Sequence, residues 1–180
     1  MKGFEMNYKH FIVFSFLAMS LSGCISAPRT ADAIVQSAKK GKMFTAKQEF
    51  EVDRSLAEVT HILKMRSHQC LRTGISFAAA GDTSGGIRMD KEVSRQLTPK
   101  LFASAKHTRL TVQVKATDGT KELGGMPRDG WYMLVVDAYP ANHHKTRVEN
   151  YYQQTSFREV FNAIKPWLTG SKKDCPDLTK

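Results

Sequence analysis

Six histidines, a serine set among glycines and three cysteines are the residues from which chemistry could be built in this chain. His61 and His68 are seven positions apart, so a helix would carry them on one face. A metal pair wants i,i+4 spacing or a third ligand close by, and the sequence offers neither. Exposed helix histidines are the expectation. His143 and His144 adjoin Asn142 in a turn-like stretch and read as solvated too. Ser84 sits in Gly81-Asp82-Thr83-Ser84-Gly85-Gly86, which lacks the spacing of a nucleophile elbow and has no assignable acid–base partner. That stretch reads as a loop between strands. Gly124-Gly125 has no phosphate-cradle spacing and no following Lys-Ser/Thr. It reads as a hairpin connection, or as a contact loop for a partner. Trp131, Tyr132, Tyr139, Tyr151, Tyr152 and Trp167 are expected in the core or on sheet faces, with an aromatic-lined pocket as the functional counter-reading. No catalytic residue, metal ligand or cofactor follows from these patterns.

The cysteines say more. Lys9 and His10 precede an apolar run from Phe11 to Leu21, interrupted by two serines. A membrane-spanning helix needs about 20 apolar residues, so the run is too short to remain in a bilayer. A basic segment followed by a short apolar stretch is the pattern of an export signal. Met6-Asn7-Tyr8-Lys9 would serve as the basic segment by itself, so Met1 and Met6 both fit as the start. The run ends in Leu21-Ser22-Gly23-Cys24, which resembles the lipobox of bacterial lipoproteins. The resemblance implies a signal peptide over residues 1–23, cleavage before Cys24, and diacylglycerol and palmitate-type acyl chains on that cysteine. Ile25 stands where an aspartate would favour the inner membrane. The family pattern therefore implies the outer membrane, facing the periplasm, in a Gram-negative host. More than one acyl chain is needed for stable anchoring, and the family's triacylated cysteine meets that requirement.

Cys70 and Cys175 remain. In an oxidising compartment two cysteines are most simply one disulfide, closing a loop of about 105 residues. Two free thiols are the alternative, and a metal site lacks a close Cys or His pair. The 157 residues beyond the leader suffice for one domain with a real core. The whole chain carries a net charge of +10, and 25 basic against 16 acidic residues remain beyond the leader, a net +9. That excess favours anionic partners, and in the envelope these are lipid headgroups or acidic polymers rather than nucleic acid. The charges are scattered, as on a solvated basic surface.

Residues 24–42 read as a lipidated tether with one short helix, Thr30 as its N-cap and Gly41 at its end. Fully extended, that stretch would reach about 60 Å. The domain proper is expected over 43–180. From Met43, Phe44, Ala46, Phe50 and Val52 alternate with polar residues, which predicts a half-buried strand. Ser55-Leu56-Ala57-Glu58 is a capping box, followed by the stripe Leu56, Val59, Ile62, Leu63, Cys70 and Leu71. Strands are expected over 75–80, 87–97, 101–117, 131–139 and 145–153, the fourth apolar on both faces as a central strand would be. Ser156-Phe157-Arg158-Glu159 is a second capping box opening a helix with Phe157, Val160, Phe161, Ile164 and Leu168 inward. Pro166 should kink or shorten its last turn, and Gly170 should stop it.

The order is β-α-β-β-β-β-β-α, an α+β fold with a curled antiparallel sheet and two helices on one face. By element order it resembles the helix-grip arrangement of START-type lipid-transfer domains and of a lipoprotein subunit of the outer-membrane β-barrel assembly machinery. Such a likeness guides fold more than function. The expected role is a non-catalytic binding or scaffolding lipoprotein, possessing no enzymatic activity, that serves an envelope protein complex or an anionic envelope polymer. A carrier or sensor of an apolar ligand in a helix-grip cavity is the first alternative, and an envelope hydrolase acting through Ser84 the second.

Overall fold

A computed structural model of the chain describes residues 29–42, 44–72, 74–79, 91–116, 130–153, 158–171 and 174–178. The leader, Cys24, the Ser84 loop, Gly124-Gly125 and the Ser156 capping residue lie outside them. The elements are α1 (Ala31–Lys39), β1 (Thr45–Val52), α2 (Leu56–Cys70), β2 (Gly74–Ala79), β3 (Lys91–Ala103), β4 (Thr108–Ala116), β5 (Trp131–Pro140), β6 (Thr146–Gln153) and α3 (Arg158–Thr169). The six strands form one antiparallel sheet in the order β1-β6-β5-β4-β3-β2. The chain is thus the expected α+β fold with a curled antiparallel sheet.

Alternation along each strand divides the sheet into two faces. The inner face carries Phe50, Val52, Leu97, Leu110, Val112, Val114, Val136, Ala138, Val148 and Tyr152, and the helices α2 and α3 close over it. Val59, Leu63 and Cys70 of α2 and Val160, Ile164, Trp167 and Leu168 of α3 complete that core, all buried. Between Val112 and Gln113 the β4–β5 register slips by one residue on the β5 side. The bulge turns Met133 and Leu134 both toward the helices. Just before β5, Gly130 has φ of 77°, and a Cβ there would meet the Val114 carbonyl oxygen at 2.0 Å. Only glycine allows the two backbones to approach so closely.

Local sequence explains where the inner helices begin and end. Ser55 Oγ accepts from the Glu58 amide at 3.3 Å, and Glu58 Oε2 accepts from the Ser55 amide at 2.8 Å, so the capping box forms as expected. Helix α3 runs through Pro166 to Thr169, one turn further than proline would favour. Buried Trp167 and Leu168 hold that turn on the core, and Gly170, at φ 78°, ends it. Arg54 Nε donates to the Leu168 carbonyl at 2.8 Å, tying the start of α2 to the end of α3. Cys70 and Cys175 stand at disulfide distance, their Cα atoms 5.2 Å apart across 105 residues of sequence. Trp167 Nε1 donates to the Asp174 carbonyl at 3.2 Å and fixes the tail beside α3.

Three details differ from the sequence expectations. β3 and β4 break at 104–107 and not before Leu101, so Leu101 belongs to β3. Pro99 is tolerated inside β3 because the β2 ladder ends at Gly74↔Gln96, leaving one side of β3 without a neighbour among the described residues at that point. Phe44, expected on the inward face of β1, precedes the strand at φ 66° and is 47% exposed. The helix expected within the tether is present, with Thr30 Oγ1 accepting from the Ala33 amide at 3.1 Å. It does not hang free: α1 lies on the outer face of the sheet.

Candidate functional site

The outer face is built from the alternate residues of the same strands. Ile34 and Val35 of α1 are buried against Val135 and Tyr151, and Tyr132 packs beside them. The helix starts over β5, where Asp32 in its first turn accepts from Nη1 of Arg109, reaching across from β4, at 2.7 Å. It ends over β6 and β1, with Lys39 Nζ 5.9 Å from the centre of the Tyr151 ring. Small residues, Ala31 and Ala38, allow this close seating.

Beside α1 the outer face turns polar. Asp137 is the sole charged residue of β5, and it is 2% exposed. A buried carboxylate is costly unless it is paired and hydrogen-bonded. Arg109, its direct neighbour across β4, donates from Nε to Oδ1 at 2.6 Å and from Nη2 to Oδ2 at 2.8 Å. This two-pronged geometry is what guanidinium and carboxylate favour. His107 Nε2 lies 2.9 Å from Oδ1. The hydrogen bond to Asp137 raises the Arg109 pKa, burial opposes that rise, and Asp32 adds to it.

A second row runs parallel. Tyr139 pairs with Arg147 across β6 and is flanked on the β4 side by His107. The imidazole stacks on the Tyr139 ring at 4.7 Å and 13°, and the Arg147 guanidinium lies 5.4 Å from the ring centre. Burial pushes the Tyr139 phenol up. Next along β6, the Tyr151 hydroxyl donates to Glu149 Oε2. Burial first, then that hydrogen bond, raises the Tyr151 pKa, so it stays a neutral donor. Arg147 Nε approaches Glu149 Oε1 at 3.8 Å. At the edge strand, the Lys47–Glu49 hydrogen bond of 2.7 Å raises the lysine and lowers the glutamate.

An aspartate–histidine pair invites comparison with hydrolytic dyads. Here both Asp137 oxygens are engaged by Arg109, and the nearby Ser104 hydroxyl donates to the His107 carbonyl while accepting from the His107 amide. The hydroxyl closes its own turn. The arrangement orients a ring and locks strands, and offers a half-buried aromatic and cationic shelf.

The residues singled out in the sequence are not gathered there. His61 and His68 are exposed on α2, and His68 is 3.0 Å from Arg72 Nη1. His143 and His144 are exposed in the β5–β6 turn, where Asn142 Oδ1 accepts from the His144 amide at 2.9 Å. Among the described residues no group of three or more His, Cys, Asp or Glu could hold a metal ion. No helix among them is long and apolar enough to cross a membrane. Under α3, Leu97, Val112, Met133, Leu134, Tyr152 and Val160 enclose a cavity of about 10 Å³. That is room for one water at most. A wider groove of about 360 Å³ opens between Leu56, Ala57 and Thr60 of α2 and the turn residues Ala103, Ser104 and Ala105.

Sequence reasoning missed the Asp137 cluster because its members lie in separate segments. One signal was present: an aspartate alone in an otherwise uncharged central strand must find a cation. No protein-family model matches this chain, and no curated protein matches it.

Proposed function

We propose that the protein is an outer-membrane lipoprotein, anchored through Cys24 and facing the periplasm, whose domain binds or scaffolds without catalysis. The observation carrying this reading is Leu21-Ser22-Gly23-Cys24 placed directly after an apolar run too short to span a bilayer. The closeness of Cys24 to Thr30, where the folded body begins, suits a domain displayed at a membrane. A pair of cysteines at disulfide distance suits an oxidising compartment.

Binding would use surfaces. Among the described residues, the cavity under α3 is too small for an acyl chain or other apolar cargo. The outer shelf of His107, Tyr139 and Arg147 and the groove beside the β3–β4 turn are the surfaces on offer. The basic excess beyond the leader favours an anionic polymer or an acidic patch on an envelope protein.

The test of the anchor is metabolic labelling with palmitate, followed by membrane fractionation, of the protein and of Cys24→Ser. Label and membrane association are expected to be lost together in the variant. Unlabelled wild-type protein, or a variant still processed and membrane-bound, overturns the reading. Crosslinking in cells tests scaffolding, and capture of nothing above background speaks against it.

A further inference from the structure

We infer that the β3–β4 end of the outer sheet face is a membrane-contacting surface, seated on the anionic bilayer that holds the anchor. The inference rests on the lipid-anchor reading above and deepens it.

The first observation is where the fold begins. With α1 docked on the sheet, the stretch of tether ahead of the folded body is short. Only residues 25–29 separate Cys24 from the N-cap Thr30. Whatever conformation they take, they span at most about 20 Å. A domain of this size has a radius of gyration of about 14 Å. The folded body is therefore held within about 20 Å of the bilayer, with the N-terminal end of α1 nearest the anchor.

The second observation is what lies on that side. The chain enters beside β4: Asp32 at the start of α1, a helix that itself lies over β5, β6 and β1, accepts from Arg109. The Cα partner of Arg109 on β3 is Phe102. Phe102 is 66% exposed, more than any other large apolar side chain among the described residues. It shares the outer face with Lys100, two residues away, and Lys106 follows in the β3–β4 turn; both lysines are exposed, as is Arg29. Helix α1 leaves this end uncovered, because its buried residues pack on β5 and β6. The acids nearby are spoken for: Asp137 is buried under Arg109, and Asp32 is bonded to the same guanidinium.

An exposed phenylalanine with one lysine on its own strand and another in the adjoining turn, near the root of a short acylated tether, matches the bilayer interface in both terms. The ring enters the boundary between headgroups and acyl chains, and the cations meet lipid phosphates. The turn is stiff enough to present them. Ser104 Oγ donates to the His107 carbonyl at 3.0 Å and accepts from the His107 amide at 3.1 Å. His107 in turn is held by Asp137.

The experiment uses the acylated protein reconstituted in vesicles of phosphatidylethanolamine and phosphatidylglycerol whose acyl chains carry bromine, a fluorescence quencher. Mass spectrometry first establishes whether the purified chain begins at an acylated Cys24. Phe102→Trp then reports contact, against the baseline of Trp131 and Trp167 in the unsubstituted protein. The expected result is quenching at position 102. Lys100→Gln and Lys106→Gln, introduced into the Phe102→Trp protein, should each lower the docked-to-undocked ratio about fivefold, and omission of phosphatidylglycerol should do the same or more. An acylated, vesicle-bound Phe102→Trp protein whose added fluorescence ignores the bromine overturns this surface and leaves the anchor intact. A chain that carries no acyl group overturns the anchor and this inference with it.

Discussion

The two faces of one sheet are stabilised by different physics. The inner face is apolar at its centre apart from Asn150, whose Nδ2 donates to the Phe161 carbonyl at 3.0 Å, and α2 and α3 bury it from water. Its energy comes from removing hydrocarbon from solvent, about 25 cal/mol per Å², and it tolerates little loss of volume. The outer face has a small apolar patch under α1 and, next to it, the ionic cluster of Asp137, Arg109 and His107. Its geometry is fixed by directional bonds, which position groups well but add modest net stability. A face built for stability is filled and closed. A face with ordered, half-exposed cations and rings is suited to contact. The comparison predicts unlike responses to mutation on the two sides.

The largest effect is expected from breaking the outer cluster halfway. Arg109→Ala leaves Asp137, 2% exposed, without its main partner, and should cost about 3–5 kcal/mol in urea unfolding. The double variant Arg109→Met, Asp137→Leu should recover most of the loss, because apolar residues of similar volume often replace a buried ion pair at no cost. If the double variant is as unstable as the single one, the cluster is contributing stability in its own right, and the contrast between the faces is weaker than stated.

Next comes the staple on the inner side. Cys70 ends α2 and Cys175 follows α3, so reduction or Cys175→Ala should cost about 2–4 kcal/mol. The same treatment should leave hydrogen exchange in α1 unchanged until the whole domain unfolds. Early loss of protection in α1 would mean that the two faces are coupled more tightly than their separate apolar clusters suggest.

A matched pair of truncations sharpens the difference further. Leu63 and Ile34 are both fully buried, one in the inner core and one under α1. Leu63→Ala should lower global stability by about 3 kcal/mol. Ile34→Ala should act locally, raising exchange in residues 31–39 while moving the main transition by about 1–2 kcal/mol, because a nine-residue helix can detach alone. Equal shifts of the main transition would make α1 part of the cooperative core.

The inner face is legible in the sequence, and the outer face much less so. Periodicity reports which residues are apolar at regular spacing, and the capping box at Ser55, the stripe of α2 and the alternation of β4 and β6 are such signals. The two cysteines can be paired because one ends and the other follows a helix, and both helices are expected on one side of the sheet. The outer cluster unites Asp32, His107, Arg109 and Asp137, as many as 105 residues apart, and no local pattern joins them. The docking of α1 is hidden for a similar reason. Ile34 and Val35 in a setting of small and polar residues look like part of a linker until a complementary patch, Val135 and Tyr151, is brought beneath them. The break expected between residues 97 and 101 falls elsewhere: Pro99 lies in a strand that has no described neighbour on one side at that point, which is a property of the sheet.

The smallest effect concerns protons. The Tyr151 phenol is raised above its ordinary value of about 10 by burial and then by its bond to Glu149, and Tyr139 is raised by burial. Below about pH 10 both states keep the Tyr151 proton and its contribution is fully present. Above it, the unfolded chain releases that proton while the folded protein holds it. The unfolded state then binds fewer protons, so stability falls as pH rises toward the folded value. The slope from one such group is at most about 1.4 kcal/mol per pH unit. Tyr151→Phe should flatten this alkaline limb in chemical denaturation while leaving the acid limb in place. A Leu63→Ala control on the inner face should shift the whole curve downward with its alkaline slope unchanged. If Tyr151→Phe leaves the slope as it was, the phenol does not keep its proton on folding, and the outer face is wetter around Glu149 than its hydrogen bond implies.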